Sequence, residues 1–421
     1  MITFIEKIFG IHLRTYTKEG AFLLAPYFIG AICSFGMSIV FAYLIPKSEY
    51  GIYKLLMSSS AVIGGLTLTG MNTAVTQAIS HGHTAIYTKS ITYQMRWNSV
   101  VAILTLIVLF TLQNTRNGLP FVVFLPIVIG TTLLTAYNTY AAYYSGRKDF
   151  KTLAQSQIII TLAQTLLSVL IAITSKNGAM IVAGIFTIQT IVTYIYHKKV
   201  VQKLSIDSTS EDTLDSVLLF GKKVSFINFF KILSDQADKI ITFIILGPVA
   251  LALYSFAYAI PDQIRGFFKI IPALSLPYFA EKNELRIRQV LRRYLLLFFC
   301  VVFVIASIYF FIAPFIFKTF FAPYSDAILY SRVIAFIMIP TVLLFPLTTY
   351  LHARKKARVL AYTNIMQAAL DITGIILLGK NFGLTGVLIT RAFSTTITLS
   401  VLILYVFSHT ISSSDEQKIH N

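Results

Sequence analysis

Seven basic side chains, Lys54, Lys231, Lys239, Arg265, Lys269, Arg332 and Arg391, fall inside otherwise apolar stretches, and four carboxylates, Asp235, Asp238, Asp262 and Asp371, accompany them. A cation near the bilayer centre costs roughly 2.5–3.5 kcal/mol, so such a residue faces water, a partner or a charged ligand. The surplus is positive, and nearly all of it lies after residue 225. Arg grips a phosphate through two parallel hydrogen bonds, whereas Lys acts as a mobile point charge. The chemistry in question is recognition of an anionic group inside a membrane.

Their spacing says which elements hold them. Asn228, Lys231, Asp235, Asp238 and Thr242 recur three or four residues apart, which puts a polar face along one helix. Ser255, Tyr258, Asp262, Arg265 and Lys269 repeat the pattern on the next. Internal pairing is the plainest reading: Lys231 with Asp235 and Asp235 with Lys239 are i,i+4, and Asp262 with Arg265 is i,i+3. It leaves a positive remainder, because Arg332 and Arg391 have no carboxylate at helical spacing nearby. Asp371 is the candidate to pair with one of them across helices. A rise of ~1.5 Å per residue puts Lys231 and Arg265 in one half of the bilayer and Lys239, Arg332 and Arg391 in the other. Cations then recur along a crossing path. The four Asp side chains have a second possible role as proton or sodium switches, and Asp371, with no cation in its own turn, is the best placed for it.

The chain that carries these residues has 421 positions, 56% of them hydrophobic and 12% charged, which is a membrane composition. Apolar runs predict about twelve spans, near 21–45, 50–80, 97–113, 119–145, 151–174, 178–197, 217–246, 248–280, 294–317, 324–352, 358–379 and 383–407. With the N-terminus inside, alternating the connections puts twenty-three of the 35 Lys and Arg on the cytoplasmic side, five on the other and seven within the spans. Both termini are therefore expected in the cytoplasm. Topology also accounts for most of the +18 net charge, so a nucleic-acid partner is not expected. Cys33 and Cys300 lie in apolar runs and suggest no disulfide or zinc site. His81 and His83 lack acidic or thiol companions, so no metal or other cofactor is expected. No catalytic constellation or P-loop stands out, which argues against an enzyme and against transport powered by hydrolysis in this chain.

The halves repeat. Leu44-Ile45-Pro46 through Tyr53 aligns without a gap on Ile245-Leu246-Gly247 through Tyr254, and Gly146-Arg147-Lys148 falls opposite Ala353-Arg354-Lys355. Each half has six spans, so the repeat is parallel, about an axis along the membrane normal. The expected division is an amphipathic segment 1–20, a six-helix lobe 21–197, a linker 198–216, a second lobe 217–407 and a tail 408–421. Asp262, Arg265 and Lys269 align with Ala61, Gly64 and Leu68, so the scaffold accepts apolar residues where the second half carries charge. Pro261, Pro272 and Pro277 would bend the eighth span. Tyr137, Tyr140, Tyr143 and Tyr144 read more readily as an interfacial aromatic belt than as a sugar-stacking surface.

Several segments together resemble a known family: Ser234-Asp235-Gln236-Ala237-Asp238-Lys239-Ile240, Leu246-Gly247-Pro248, Pro261-Asp262-Gln263-Ile264-Arg265, Tyr50-Gly51-Ile52-Tyr53 and Gly146-Arg147-Lys148-Asp149-Phe150. They are similar to the polysaccharide-transport flippases, the O-antigen and capsule repeat-unit translocases of the multidrug/oligosaccharidyl-lipid/polysaccharide exporter (MOP) superfamily. The resemblance covers roughly residues 20–407. It implies an all-α, MATE-like bacterial inner-membrane protein with two six-helix lobes around a V-shaped cavity. Such a protein would carry undecaprenyl-diphosphate-linked oligosaccharide from the cytoplasmic to the periplasmic leaflet by alternating access, with an ion gradient supplying the energy. Its partners would be membrane lipids and the polysaccharide polymerase and chain-length machinery. Lys231, Lys239, Arg265, Lys269, Arg332 and Arg391 would meet the diphosphate, and Asp235, Asp238, Asp262 and Asp371 would couple ions or balance charge. The alternative is a MATE-like drug or cation antiporter, which favours an acidic cavity. A membrane glycosyltransferase or polymerase would need a long extracytoplasmic loop, and none is read.

Overall fold

Backbone N–H and C=O groups find no water in hydrocarbon, so an apolar chain of this length must satisfy them within helices. The computed structural model describes residues 17–112, 121–204, 211–268, 284–354 and 356–408, and every regular element among them is helical. Among the described residues eight helices are long and apolar enough to cross a membrane, or nine when one bent pair counts as a single span. Lys269, Pro272 and Pro277, nearly all of the 1–20 segment and nearly all of the 408–421 tail lie outside the described residues.

The chain divides into two compact units, Met1–Ser255 with Thr319–Tyr324, and Phe256–Lys318 with Ser325–Asn421. The first contains α1 (Thr17–Leu44), α2 (Lys47–Leu66), α3 (Met71–Ser80), α4 (Ile86–Leu112), α5 (Leu125–Tyr137), α6 (Thr139–Gly146), α7 (Phe150–Thr174), α8 (Gly178–Val201) and most of α9 (Glu211–Phe268). There α1 packs on α7, α7 on α8, and α8 on both α2 and α5. The second unit holds the end of α9 with α10 (Glu284–Phe320, all but its last two residues), α11 (Ile328–Ala353), α12 (Ala357–Gly374) and α13 (Lys380–Ser408). In its core Ala306, Tyr309 and Ala313 of α10 meet Ala335 of α11, with Ile260 and Ile264 of α9 against them. The connection read as 198–216 is helical up to Val201 and again from Glu211.

One break differs from the sequence reading, and the break in α9 falls where the runs 217–246 and 248–280 meet. The run 50–80 is not one straight span, because α2 and α3 meet at 55°. Thr67 leaves the helix in an extended conformation (φ −77°, ψ 173°), and its hydroxyl donates back to the Gly64 carbonyl at 2.5 Å. Gly70 N then donates to Ser225 Oγ on α9 at 2.9 Å, and a Cβ at Gly70 would collide with the α9 backbone. In α9 the helix is interrupted at Gly247, whose φ of 85° belongs to glycine. Gly247 is the residue that aligns with Pro46, the cap of α2, so both aligned positions interrupt helices by different means. A five-residue π turn, Ile375–Gly379, separates α12 from α13. Tyr140, Tyr143 and Tyr144 are not an interfacial belt. They are buried in the core of the first unit, with Tyr87 and Tyr196 packed among them.

Candidate functional site

The charged stripe of α9 begins with an exposed pair. Lys231 Nζ and Asp235 Oδ2 lie 2.9 Å apart, with 61% and 47% of their side chains accessible. One turn on, Asp238 is buried and accepts a hydrogen bond from Tyr254 Oη at 2.7 Å. The Lys239 ammonium goes to a neutral partner, Gln236 Oε1, at 3.0 Å. Its stem leaves the helix on the same side as Gln236 because the two are three residues apart. The i,i+3 contact with Gln236 takes the place of the expected ion pair between Lys239 and Asp235.

In the second unit the end of α9 carries Asp262 and Arg265, paired at 3.1 Å. The pair uses only Nη2 of Arg265; its Nε is buried with no hydrogen-bond partner among the described residues. Arg332 of α11 donates Nε to the Phe310 carbonyl at 2.8 Å, and its guanidinium lies 4.5 Å from the centre of the Phe310 ring. Arg391 of α13 reaches Asp371 of α12 at 2.5 Å, both almost wholly buried, and Ser394 Oγ donates to the other carboxylate oxygen. Lys54, the remaining cation of the seven that is described, sits over the rings of Tyr50 and Tyr53 in the first unit at 5.3 and 5.5 Å.

The second unit thus gathers Asp262, Arg265 and Arg391 around one recess, with Tyr258, Pro261 and Thr341 beside them and Ile334, Ile337 and Met338 as its apolar wall. Its volume is about 20 Å³, room for a water molecule. Lys231 and Lys239 lie in the first unit, outside that recess, and Arg332 does not line it. Among the described residues no cluster of His, Cys, Asp or Glu would hold a metal ion. The partners that sequence reasoning missed are Tyr254, Gln236, Ser394 and Phe310. Gln236 and Ser394 stand three residues from Lys239 and Arg391, a spacing open to inspection. The Phe310 carbonyl is a backbone group and left no signal in residue type.

Across residues 16–283 the sequence matches the family described as "Polysaccharide biosynthesis protein". No curated protein matches it. Among solved structures, the chain is similar to an inward-facing multidrug resistance MATE family transporter of the MOP superfamily, with a TM-score of 0.66 and 14% identity over 92% of this chain and 97% of that one. A eukaryotic MATE transporter gives a TM-score of 0.61 at 14% identity over 93% and 95%. A MOP superfamily transporter from Pyrococcus furiosus, described as having a binding pocket of reverse polarity that suggests a different function, gives 0.58 at 12% identity over 96% of each chain. At these identities the likeness concerns the fold, and the fold is that of the MOP transporters.

Proposed function

Because the chain belongs to the polysaccharide biosynthesis protein family, a polytopic membrane family with the MOP fold, we propose that it is a flippase for undecaprenyl-diphosphate-linked oligosaccharide repeat units. The cargo moves from the cytoplasmic to the periplasmic leaflet of the bacterial inner membrane, without covalent change. In this reading α9 counts as two spans divided at Gly247, the chain crosses about twelve times in two sets of six, and both termini stay in the cytoplasm. The polysaccharide polymerase and chain-length machinery receive the product.

The observation that carries the proposal is how incompletely the intramembrane cations are neutralised. Lys239 and Arg332 form no ion pair among the described residues, and Arg265 keeps a buried Nε unspent. Holding a cation on a neutral amide, a carbonyl or a ring leaves its charge available to a passing anion. Arg332 and Arg265 also present the planar donors that suit phosphate oxygens. Lys231 and Lys269, which belong to the same two polar stripes of the sequence, are proposed as further contacts. Arg391 differs, since it reaches cargo only after releasing Asp371. A 20 Å³ recess admits water and not a diphosphate, so its walls must part for cargo, as alternating access requires. Ion coupling through Asp371 would have to break the same buried pair; Asp235 and Asp262 serve as charge partners, and Asp238 accepts from the Tyr254 hydroxyl. The Pyrococcus furiosus relative lends support, because its pocket polarity is what its description ties to function.

A second reading is antiport of a drug or cation. Several of the structural likenesses are to MATE transporters, two of them described as multidrug resistance transporters, and they back antiport more directly than they back a lipid cargo. The test is to make Lys239→Gln and Arg332→Gln at equal protein abundance and follow surface polysaccharide and efflux of a cationic dye. Loss of polysaccharide with unchanged dye efflux supports the flippase; lost efflux with normal polysaccharide supports the antiporter.

A further inference from the structure

A separate groove lies in the first unit, where the start of α9 crosses α4. It has a volume of about 300 Å³ and is walled by Lys89, Tyr93 and Arg96 of α4 and by Leu214 and Leu218 of α9. Lys222, one turn beyond Leu218, places its ammonium 4.9 Å from the Tyr93 ring centre. Among the described residues that line it there is no carboxylate. The three charged wall and rim residues are exposed, and Leu218 is buried in the core of the unit, so the groove has a fixed apolar floor and a basic lip.

Its surroundings say what kind of anion fits. Beyond Arg96, the same face of α4 continues with Val100, Ile103, Leu104, Ile107 and Val108, each more than half exposed and spaced at three and four residues. A basic groove that opens onto an exposed apolar stripe matches an amphiphile with a phosphate head and acyl chains, not a soluble anion. Cations over tyrosines recur in this unit, with Lys198 on Tyr194 and Lys199 on Tyr196 at 5.0 and 4.9 Å, the pairing expected at headgroup level.

We infer that this groove binds the phosphate headgroup of an anionic membrane lipid, held by Arg96 and Lys222 with its chains along α4. This site is independent of the cargo proposed above. Trp97 offers a direct probe, being the only tryptophan of the chain, adjacent to Arg96 and fixed by a 3.1 Å bond from Nε1 to the Leu66 carbonyl. The full-length protein is placed in nanodiscs containing brominated phosphatidylglycerol or brominated phosphatidylcholine, and quenching of Trp97 is titrated. Phosphatidylglycerol should quench with at least about fivefold higher apparent affinity, the value of a single cation at a membrane surface. The preference should fall to parity in the Arg96→Gln/Lys222→Gln variant and persist in Lys198→Gln. Equal quenching by both lipids in the wild type overturns the site, as does a preference retained in the double variant or lost equally in Lys198→Gln. Inorganic phosphate at matched ionic strength should leave the preference intact; its abolition would assign the groove to the free anion and overturn the lipid reading.

Discussion

Arg391 and Asp371 show what a buried charge demands. With the pair almost wholly enclosed, removing one member takes away the ion-pair partner of the other. Arg391→Ala should destabilise the purified protein by about 3–5 kcal/mol, whereas the matched apolar double variant Arg391→Met/Asp371→Leu should be close to neutral. Thermal unfolding in detergent checks both. The exposed pair behaves differently: Lys231→Gln should change stability by about 0.5 kcal/mol or less, because an accessible ion pair contributes little. A cross-helix partner for Asp371 was legible in the sequence, since neither Arg332 nor Arg391 had a carboxylate at helical spacing in its own span. The neutral partners of Lys239 and Arg332 were not. One is a side-chain amide that carries no charge signal, and the other is a main-chain carbonyl that every residue possesses.

Helix contacts place the elements through a few backbone approaches. A Cβ on Gly51 of α2 would strike the Pro248 backbone, and one on Gly178 would strike the Glu49 carbonyl. The Glu49 side chain also accepts from Gly178 N at 2.9 Å, which satisfies one free donor at the start of α8. Both obstacles are backbone and cannot turn aside, so Gly51→Ala and Gly178→Ala should each cost about 1–3 kcal/mol. Gly30→Ala meets nothing within 4 Å and should be neutral or stabilising by up to about 1 kcal/mol, as measured by the same unfolding. Hydropathy made the long helices legible because burial in lipid needs continuous apolar sequence. It did not reveal the 55° bend after Leu66, which rests on a Thr67 hydroxyl and on a glycine meeting α9. Nor did it reveal that the tyrosines of α6 are core residues, because tyrosine suits an interface and a packed aromatic cluster equally.

For the whole molecule, family membership and fold agree on a membrane transporter architecture, and the charge inside the spans is what separates one cargo from another. If the buried pair on α12 and α13 is part of the energy coupling, Asp371→Asn should abolish dependence of polysaccharide export on the ion gradient. Unchanged dependence assigns the pair to structure alone. An all-helical membrane plan, the division of α9 at Gly247 and the Lys231–Asp235 and Asp262–Arg265 pairs were readable from apolar run lengths and helical spacing, while Gln236 as the partner of Lys239 and Tyr254 as that of Asp238 needed coordinates.

The most direct measurement is translocation of undecaprenyl-diphosphate-linked oligosaccharide by the purified protein in proteoliposomes, followed by the accessibility of the sugar to an added enzyme. The wild type should move the lipid, and Lys239→Gln/Arg332→Gln should slow it about tenfold or more, as expected for loss of charge-assisted contacts to phosphate. Equal rates in wild type and variant, or vesicles that transport a cationic drug while the lipid stays in its leaflet, would contradict the account.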